Sequence, residues 1–210
     1  MLRGLIKPFF PVAQSHLYFS RRYLFIASIG NPEPQYANTR HNAGHRLMNQ
    51  LIDVYWKDHL YKKGLYYLST KYPNLVLFKS NDSLMNLQGL PISKHFTKQG
   101  YGKSALVILH DELQIHLGKY QIRKPGTSSR GHNGLKSIDK YLKNKYFKFG
   151  IGIGRPPASQ SVVQYVLNEF SVEDLKVIDW KVLPKCVKDL ENMVIQDLKS
   201  QSGKDRVNDL

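Results

Sequence analysis

The sequence predicts a single α/β domain on a buried, mostly parallel or mixed sheet. Short apolar runs of strand length alternate with stretches whose apolar residues recur at helical spacing, the order of an α/β chain. The strongest runs are apolar throughout, as in strands covered on both faces. A chain of 210 residues with 41% hydrophobic content suits one substantial core and is too short for two comfortable ones.

The elements follow in order. Residues 1–22 hold Arg3, Lys7, Arg21 and Arg22 and no acid, with Ser15, Ser20 and apolar residues such as Leu5, Phe9 and Leu17. These are the traits of a mitochondrial targeting leader, although Pro8 and Pro11 oppose a helix in its middle. Tyr23 to Ile29 reads as the first strand. Leu47, Met48, Leu51, Ile52, Tyr55 and Trp56 then recur at helical spacing, with Asn38 or Thr39 placed as N-cap. Leu75 to Phe78, Ala105 to Leu109, Lys119 to Arg123 and Phe147 to Ile153 are further strands. Helices are predicted over Ile92 to Gln99 and Leu135 to Leu142. Ser171 and Asp174 form a capping-box pattern that opens a helical stretch through Val194, which Pro184 is expected to divide in two. The domain is expected to span 23–198, followed by a polar, fraying tail over 199–210. No apolar run is long enough to span a bilayer. The single cysteine, Cys186, excludes an intramolecular disulfide and reads as a packing residue.

The formal net charge of +15 is unevenly spread. From 171 onward bases and acids nearly cancel. Between 119 and 155 stand Lys119, Arg123, Lys124, Arg130, Lys136, Lys140, Lys143, Lys145, Lys148 and Arg155, against the lone Asp139. So acid-poor a run calls for a polyanion, and nucleic acid is the commonest one. An anionic membrane is the competing partner, but the run lacks the aromatic face of an interfacial helix.

Polar residues gather where such a sheet presents a site, at strand ends. Asn31 follows the first strand and His41 lies at the start of the first helix. Asn86 follows the second strand, His110-Asp111-Glu112 closes the third, and Gly131-His132-Asn133-Gly134 opens a helix. The positive end of a helix dipole is expected to lower the pKa of His41 and keep it neutral, able to take a proton from water. A metal site drawing on His41, His110, Asp111 and His132 lacks the spacing of a helix-borne ligand set. A serine triad lacks its Gly-x-Ser-x-Gly turn. A nucleotide fold lacks a glycine-rich turn between strand and helix, because Gly150-Ile151-Gly152 lies within a strand. What survives is water activated by a histidine, with Asp111 as orienter and asparagines binding a carbonyl-rich substrate.

Gly30-Asn31-Pro32, Tyr36, Thr39-Arg40-His41-Asn42-Ala43-Gly44, Met85-Asn86-Leu87 with Gly89, His110-Asp111-Glu112-Leu113, Gly131-His132-Asn133-Gly134-Leu135-Lys136-Ser137, and Gly150-Ile151-Gly152 with Arg155-Pro156 stand in this order. Across about residues 23–198 the chain thereby resembles the bacterial-type peptidyl-tRNA hydrolase family, and the leader makes it read as a eukaryotic, mitochondrial member. The resemblance implies one domain with a twisted mixed sheet flanked by helices on both faces. It implies a monomer that hydrolyses the ester between a peptide and the 3′ ribose of tRNA, without metal or cofactor. By the same resemblance His41 is the general base, Asp111 its hydrogen-bond partner, and Asn31, Asn86 and Asn133 position the peptide, ester and water. Tyr36, Met85 and His132 join them as substrate contacts. Lys119, Arg123, Lys124, Arg130, Lys136, Lys140 and Lys143 are the expected tRNA contacts. Three positions depart from the family pattern: Glu33 and Arg130 stand for glycines, and Gln88 for a serine. A second class of function, an RNA-binding factor of the same fold without catalysis, is equally served by the charge. An esterase for small acyl esters leaves the charge unexplained.

Overall fold

In a computed structural model of the chain, which describes residues 23–98 and 104–205, seven strands form one mixed sheet in the order β2-β3-β4-β1-β5-β7-β6. The strands are β1 (Leu24–Ser28), β2 (Leu60–Lys63), β3 (Tyr66–Ser69), β4 (Leu75–Lys79), β5 (Ala105–Glu112), β6 (Tyr120–Arg123) and β7 (Phe147–Gly152). The central four, β4-β1-β5-β7, run parallel, and the antiparallel β3, β2 and β6 complete the edges. Alternation along β1 sorts the core into two layers. Leu24 and Ile26 face a layer shared with Leu47, Met48, Val182, Cys186 and Leu190, while Phe25 and Ala27 face one shared with Ile92, Phe96, Leu135 and Ile138. Both faces are therefore covered, and β1 is buried along its whole length.

The helices are α1 (Ala43–Gln50), α2 (Gly89–Lys98), α3 (Asn133–Leu142), α4 (Val162–Leu167), α5 (Val172–Val177) and α6 (Leu183–Asp205). α1 starts hard against the sheet: a Cβ on Gly44 would lie 2.3 Å from the Leu109 carbonyl oxygen, so only glycine admits this approach. The Ser171–Asp174 capping box is present, with both reciprocal bonds formed. Pro184 does not divide the C-terminal helix. A π-helical stretch, Ile178–Val182, precedes it and joins α5 to α6, and its wider turn accommodates a residue that has no N–H to give. α6 continues through Asp205, into the stretch expected to be a fraying tail.

The β2–β3 hairpin and α4 are not in the sequence reading. β2 is mostly exposed along Leu60–Lys63, so it carries no burial pattern, and the six residues of α4 are too few to show a period. The leader over residues 1–22 lies outside the described residues.

Candidate active site

The carboxyl ends of β1 and β5 lie side by side, Ser28 opposite Leu109, and the segments leaving them converge on one pocket of about 520 Å³. Asn31, Tyr36, His41, Met85, Asn86, Asp111, Arg130, His132 and Asn133 all line it. Eight of these are the catalytic and substrate-binding residues expected from the sequence; the ninth, Arg130, was expected to hold tRNA. The parallel strands β1, β4 and β5 deliver Asn31, Tyr36, His41, Met85, Asn86 and Asp111 to one edge, while Arg130, His132 and Asn133 stand on the segment that runs back from antiparallel β6 to the start of α3.

His41 sits in a 3₁₀ turn, Arg40–Asn42, immediately before α1. Thr39 occupies the N-cap, but its hydroxyl donates to the Tyr36 carbonyl rather than to the helix. The turn is fastened from outside by Arg40, which donates to the Asn168 and Glu169 carbonyls, pairs with Asp174 at 3.1 Å and stacks on Tyr165. His41 Nδ1 donates to Asp111 Oδ1 at 2.9 Å, and His132 Nε2 donates to the same oxygen at 2.8 Å. The tautomers follow. The Leu135 N–H points at His132 Nδ1 (3.3 Å), so that nitrogen is bare and the proton rests on Nε2. An ionised Asp111 likewise places the His41 proton on Nδ1 and leaves Nε2 to the pocket as a base. Burial raises the Asp111 pKa, but the two histidines outweigh it and hold the carboxyl well below the usual carboxylate range.

The expected lowering of the His41 pKa is not found. Burial does push it down, but the charge of Asp111 and its hydrogen bond raise it further, and the net shift is upward. A carboxylate in contact outweighs a helix terminus, whose partial charge here belongs to one short turn.

Asn31 is held in one orientation. Its Oδ1 accepts the Met85 N–H at 3.0 Å, which leaves Nδ2 as the donor available to the pocket. Asn42, fully buried, fixes the Asn31 backbone by accepting from its N–H at 2.7 Å and donating to its carbonyl at 2.9 Å. Gln88 does the same one residue earlier: its Oε1 accepts the Gly30 N–H and its Nε2 faces the carbonyls of Gly30, Ser80 and Ser83. Asn42 and Gln88 are supporting residues that the sequence reading assigned no role. Gln88 is visible there only as a departure from serine. Glu33, another departure, pairs with Lys79 and accepts from Asn49, which anchors the loop before His41. Leu84, Val162, Val163 and Leu167 give the pocket an apolar wall.

His41, Asp111 and His132 also place three possible metal ligands within 4.8 Å of one another. The Leu135 N–H argues against a cation there, since it leaves His132 Nε2 protonated and aimed at the carboxylate rather than offering a lone pair.

The basic run divides. Lys119, Lys124, Arg130, Lys136, Lys140 and Lys143 are exposed. Arg123 is not: its guanidinium pairs with buried Glu112 at 3.1 Å and donates to the Ser128 carbonyl at 2.6 Å, so the phosphate contact expected of it is withdrawn. Lys148 is also fully buried, with Nζ 4.1 Å from the centre of the Tyr146 ring. Cys186 is buried, and burial pushes its thiol pKa up, as suits a packing residue. Among the described residues no helix is long and apolar enough to cross a membrane.

A family profile described as peptidyl-tRNA hydrolase matches residues 25–209. The peptidyl-tRNA hydrolase of Wolbachia pipientis wMel is 36% identical over 149 residues, which cover 70% of this chain and 81% of that protein. The one from Saccharomyces cerevisiae is 34% identical over 174 residues, 74% and 88% of the two chains. Among solved structures, a variant of the Acinetobacter baumannii peptidyl-tRNA hydrolase superposes with a TM-score of 0.66 at 26% identity, covering 85% of this chain and 93% of its own.

Proposed function

The chain belongs to the peptidyl-tRNA hydrolase family and hydrolyses peptidyl-tRNA, and from that premise we propose that His41 is the general base that draws a proton from the attacking water. The observation that carries this reading is the His41–Asp111 pair, with Nδ1–H committed to the carboxylate and Nε2 left to a pocket that three asparagines share. Water between Nε2 and the ester carbonyl carbon loses its proton to His41 as it attacks. Asp111 stabilises the imidazolium that forms, and His132 keeps the carboxylate oxygen in place. Asn31 Nδ2 donates to the oxyanion, adding no negative charge of its own. The tetrahedral species collapses, the ribose 3′ oxygen takes the proton back from His41, and peptide acid and tRNA leave. No covalent intermediate is needed.

Asn86 and Asn133 present exposed amides that can pair with peptide N–H and C=O whatever the side chains. The apolar wall receives those side chains. Lys119, Lys124, Arg130, Lys136, Lys140 and Lys143 hold tRNA phosphates, a contact that carries no sequence information. The protein acts as a monomer that recycles tRNA in ribosome rescue, and the leader over residues 1–22 directs it to mitochondria, with work in the cytosol also open to it. The test is release of labelled peptide from N-blocked aminoacyl-tRNA, compared with N-acetyl-aminoacyl-adenosine. The proposal expects cleavage of both, with tRNA binding improving KM. Equal KM for the two would refute the phosphate contacts. Fluorescent fusions with and without residues 1–22 test the address, and identical distribution would refute it.

A further inference from the structure

His110 is fully buried beside the reacting groups, and the mechanism above gives it no part. Its Nδ1 donates to the carbonyl oxygen of Asp111, the next residue, at 2.6 Å. A carbonyl can only accept, so Nδ1 carries the proton and Nε2 is a bare lone pair, buried without a hydrogen-bond partner. The ring stands 5.2 Å from His132 at 82°, and His132 in turn stands 5.3 Å from His41. The His132 ring is thus held between two other imidazoles. The slot for His110 exists because β7 offers Gly150 opposite it: a Cβ there would sit 3.1 Å from His110 Cε1, 3.3 Å from its Nε2 and 2.8 Å from the Glu112 Cβ.

We propose that His110 is a positioning residue for the hydrolysis: it pins the Asp111 peptide through Nδ1–H, so that one carboxylate oxygen keeps both the His41 and the His132 N–H. The geometry of the strand end explains the need. Odd-numbered residues of β5 face the α1 layer and even-numbered ones the α3 layer. Asp111, the last odd-numbered residue of the strand, must therefore reach a histidine on each side of the sheet. A peptide plane free to rock at that point moves the carboxylate away from one of them. His110 bonds that plane directly and occupies the α3 side. It stays uncharged while doing so, since burial and then His132 lower its pKa to about 3. The titratable and charged groups around the cluster are Asp111 and Glu112 on β5, Arg123 on β6, His132 before α3, His41 and Arg130 from the loops, and on β7 Lys148, buried on the same face two residues before Gly150.

This inference rests on the reading that Asp111 orients His41, and its test separates the two. His110→Phe keeps an aromatic ring and removes the donor; His110→Asn keeps a donor at the Nδ1 position and removes the ring. In the resting protein without substrate, the downfield proton resonance of the His41 Nδ1–H is expected to shift or broaden in His110→Phe and to stay in His110→Asn. With N-blocked aminoacyl-tRNA, His110→Phe should lose roughly 10- to 100-fold in kcat at unchanged KM, the scale of misplacing a reacting group by about 1 Å. Its acid limb should move to lower pH as the hold of Asp111 on His41 loosens, while His110→Asn keeps the limb of the unchanged protein. An unmoved resonance and limb in folded His110→Phe would overturn the proposal, and so would a His110→Asn as altered as His110→Phe. Should His110→Phe fail to fold, His110→Leu, which also lacks the donor, takes its place: loss of the resonance and the limb in His110→Leu with retention in His110→Asn supports the role, and equal behaviour of the two overturns it. The resonance is read without turnover, so it judges the positioning of His41 whether or not His41 is the base.

Discussion

Asp111→Asn separates the charge of this residue from its shape. Two N–H groups converge on Oδ1, at 2.9 and 2.8 Å, so the asparagine turns its carbonyl oxygen toward them and puts Nδ2 where Oδ2 now lies. Oδ2 is buried and has no hydrogen-bond partner, so the new amide donor is stranded at a cost of about 1–3 kcal/mol in stability. The histidine geometry survives, but the charge does not. Both influences that raise the His41 pKa come from Asp111, and the burial that lowers it remains. The His41 pKa therefore falls below its ordinary value. With His41 as the proposed base, activity needs it neutral, so the acid limb of the kcat/KM profile is expected to move to lower pH. On the plateau the imidazolium loses a charge-assisted bond worth about 1.5–3 kcal/mol, which corresponds to roughly 10- to 100-fold in kcat. The assay is steady-state hydrolysis of N-blocked aminoacyl-tRNA between pH 4.5 and about 9, a span that covers the ordinary histidine range with room on each side. An acid limb displaced to higher pH, or a plateau kcat equal to that of the unchanged protein, would refute the reasoning.

Changing Lys136, Lys140 and Lys143 together to glutamine should weaken tRNA binding and flatten the salt dependence of affinity by about 0.7–0.9 per lost contact, with kcat at saturation nearly intact; an unaltered slope would return these lysines to the solvent. Arg123→Gln should do the reverse, leaving the slope alone and lowering thermal stability by about 3–5 kcal/mol, because it strips buried Glu112 of its closest partner. Calorimetry of the folded protein checks it, and an unchanged Tm would show that Arg130, at 3.5 Å, suffices. Lys148→Met should raise Tm, since Nζ is buried without a hydrogen-bond partner and a thioether of similar length can rest on the Tyr146 ring; a lower Tm would mean that the cation on that ring is worth more than its desolvation.

The central strands were legible because burial on both faces writes itself into the sequence as unbroken apolar runs. Tyr23 to Ile29 predicts β1 within a residue at each end, and Ala105 to Leu109 predicts all of β5 but its polar end. That polar end, His110-Asp111-Glu112, stays in the sheet because β7 pairs with it through Gly152, a contact no local pattern announces. The pocket was legible for a related reason, since loops after parallel strands must meet. What composition could not reveal was the direction each cation faces. Arg123 and Lys148 read as members of a phosphate-binding run, yet they lie opposite one another on β6 and β7 and both are buried. The sign of the His41 shift was likewise out of reach, because it depends on a carboxylate 70 residues away at 2.9 Å.

The proposed mechanism turns on His41. Its most direct test is single-turnover cleavage of N-blocked aminoacyl-tRNA by the unchanged protein and by His41→Ala, at protein concentrations that bind all the tRNA in both. The expected result is cleavage slower by about 10²–10⁴-fold at an unchanged tRNA Kd, the range of a lost acid–base group. A His41→Ala protein that cleaves at a near-normal rate would contradict the mechanism, and one that loses tRNA affinity in proportion to its rate would make His41 a binding residue instead.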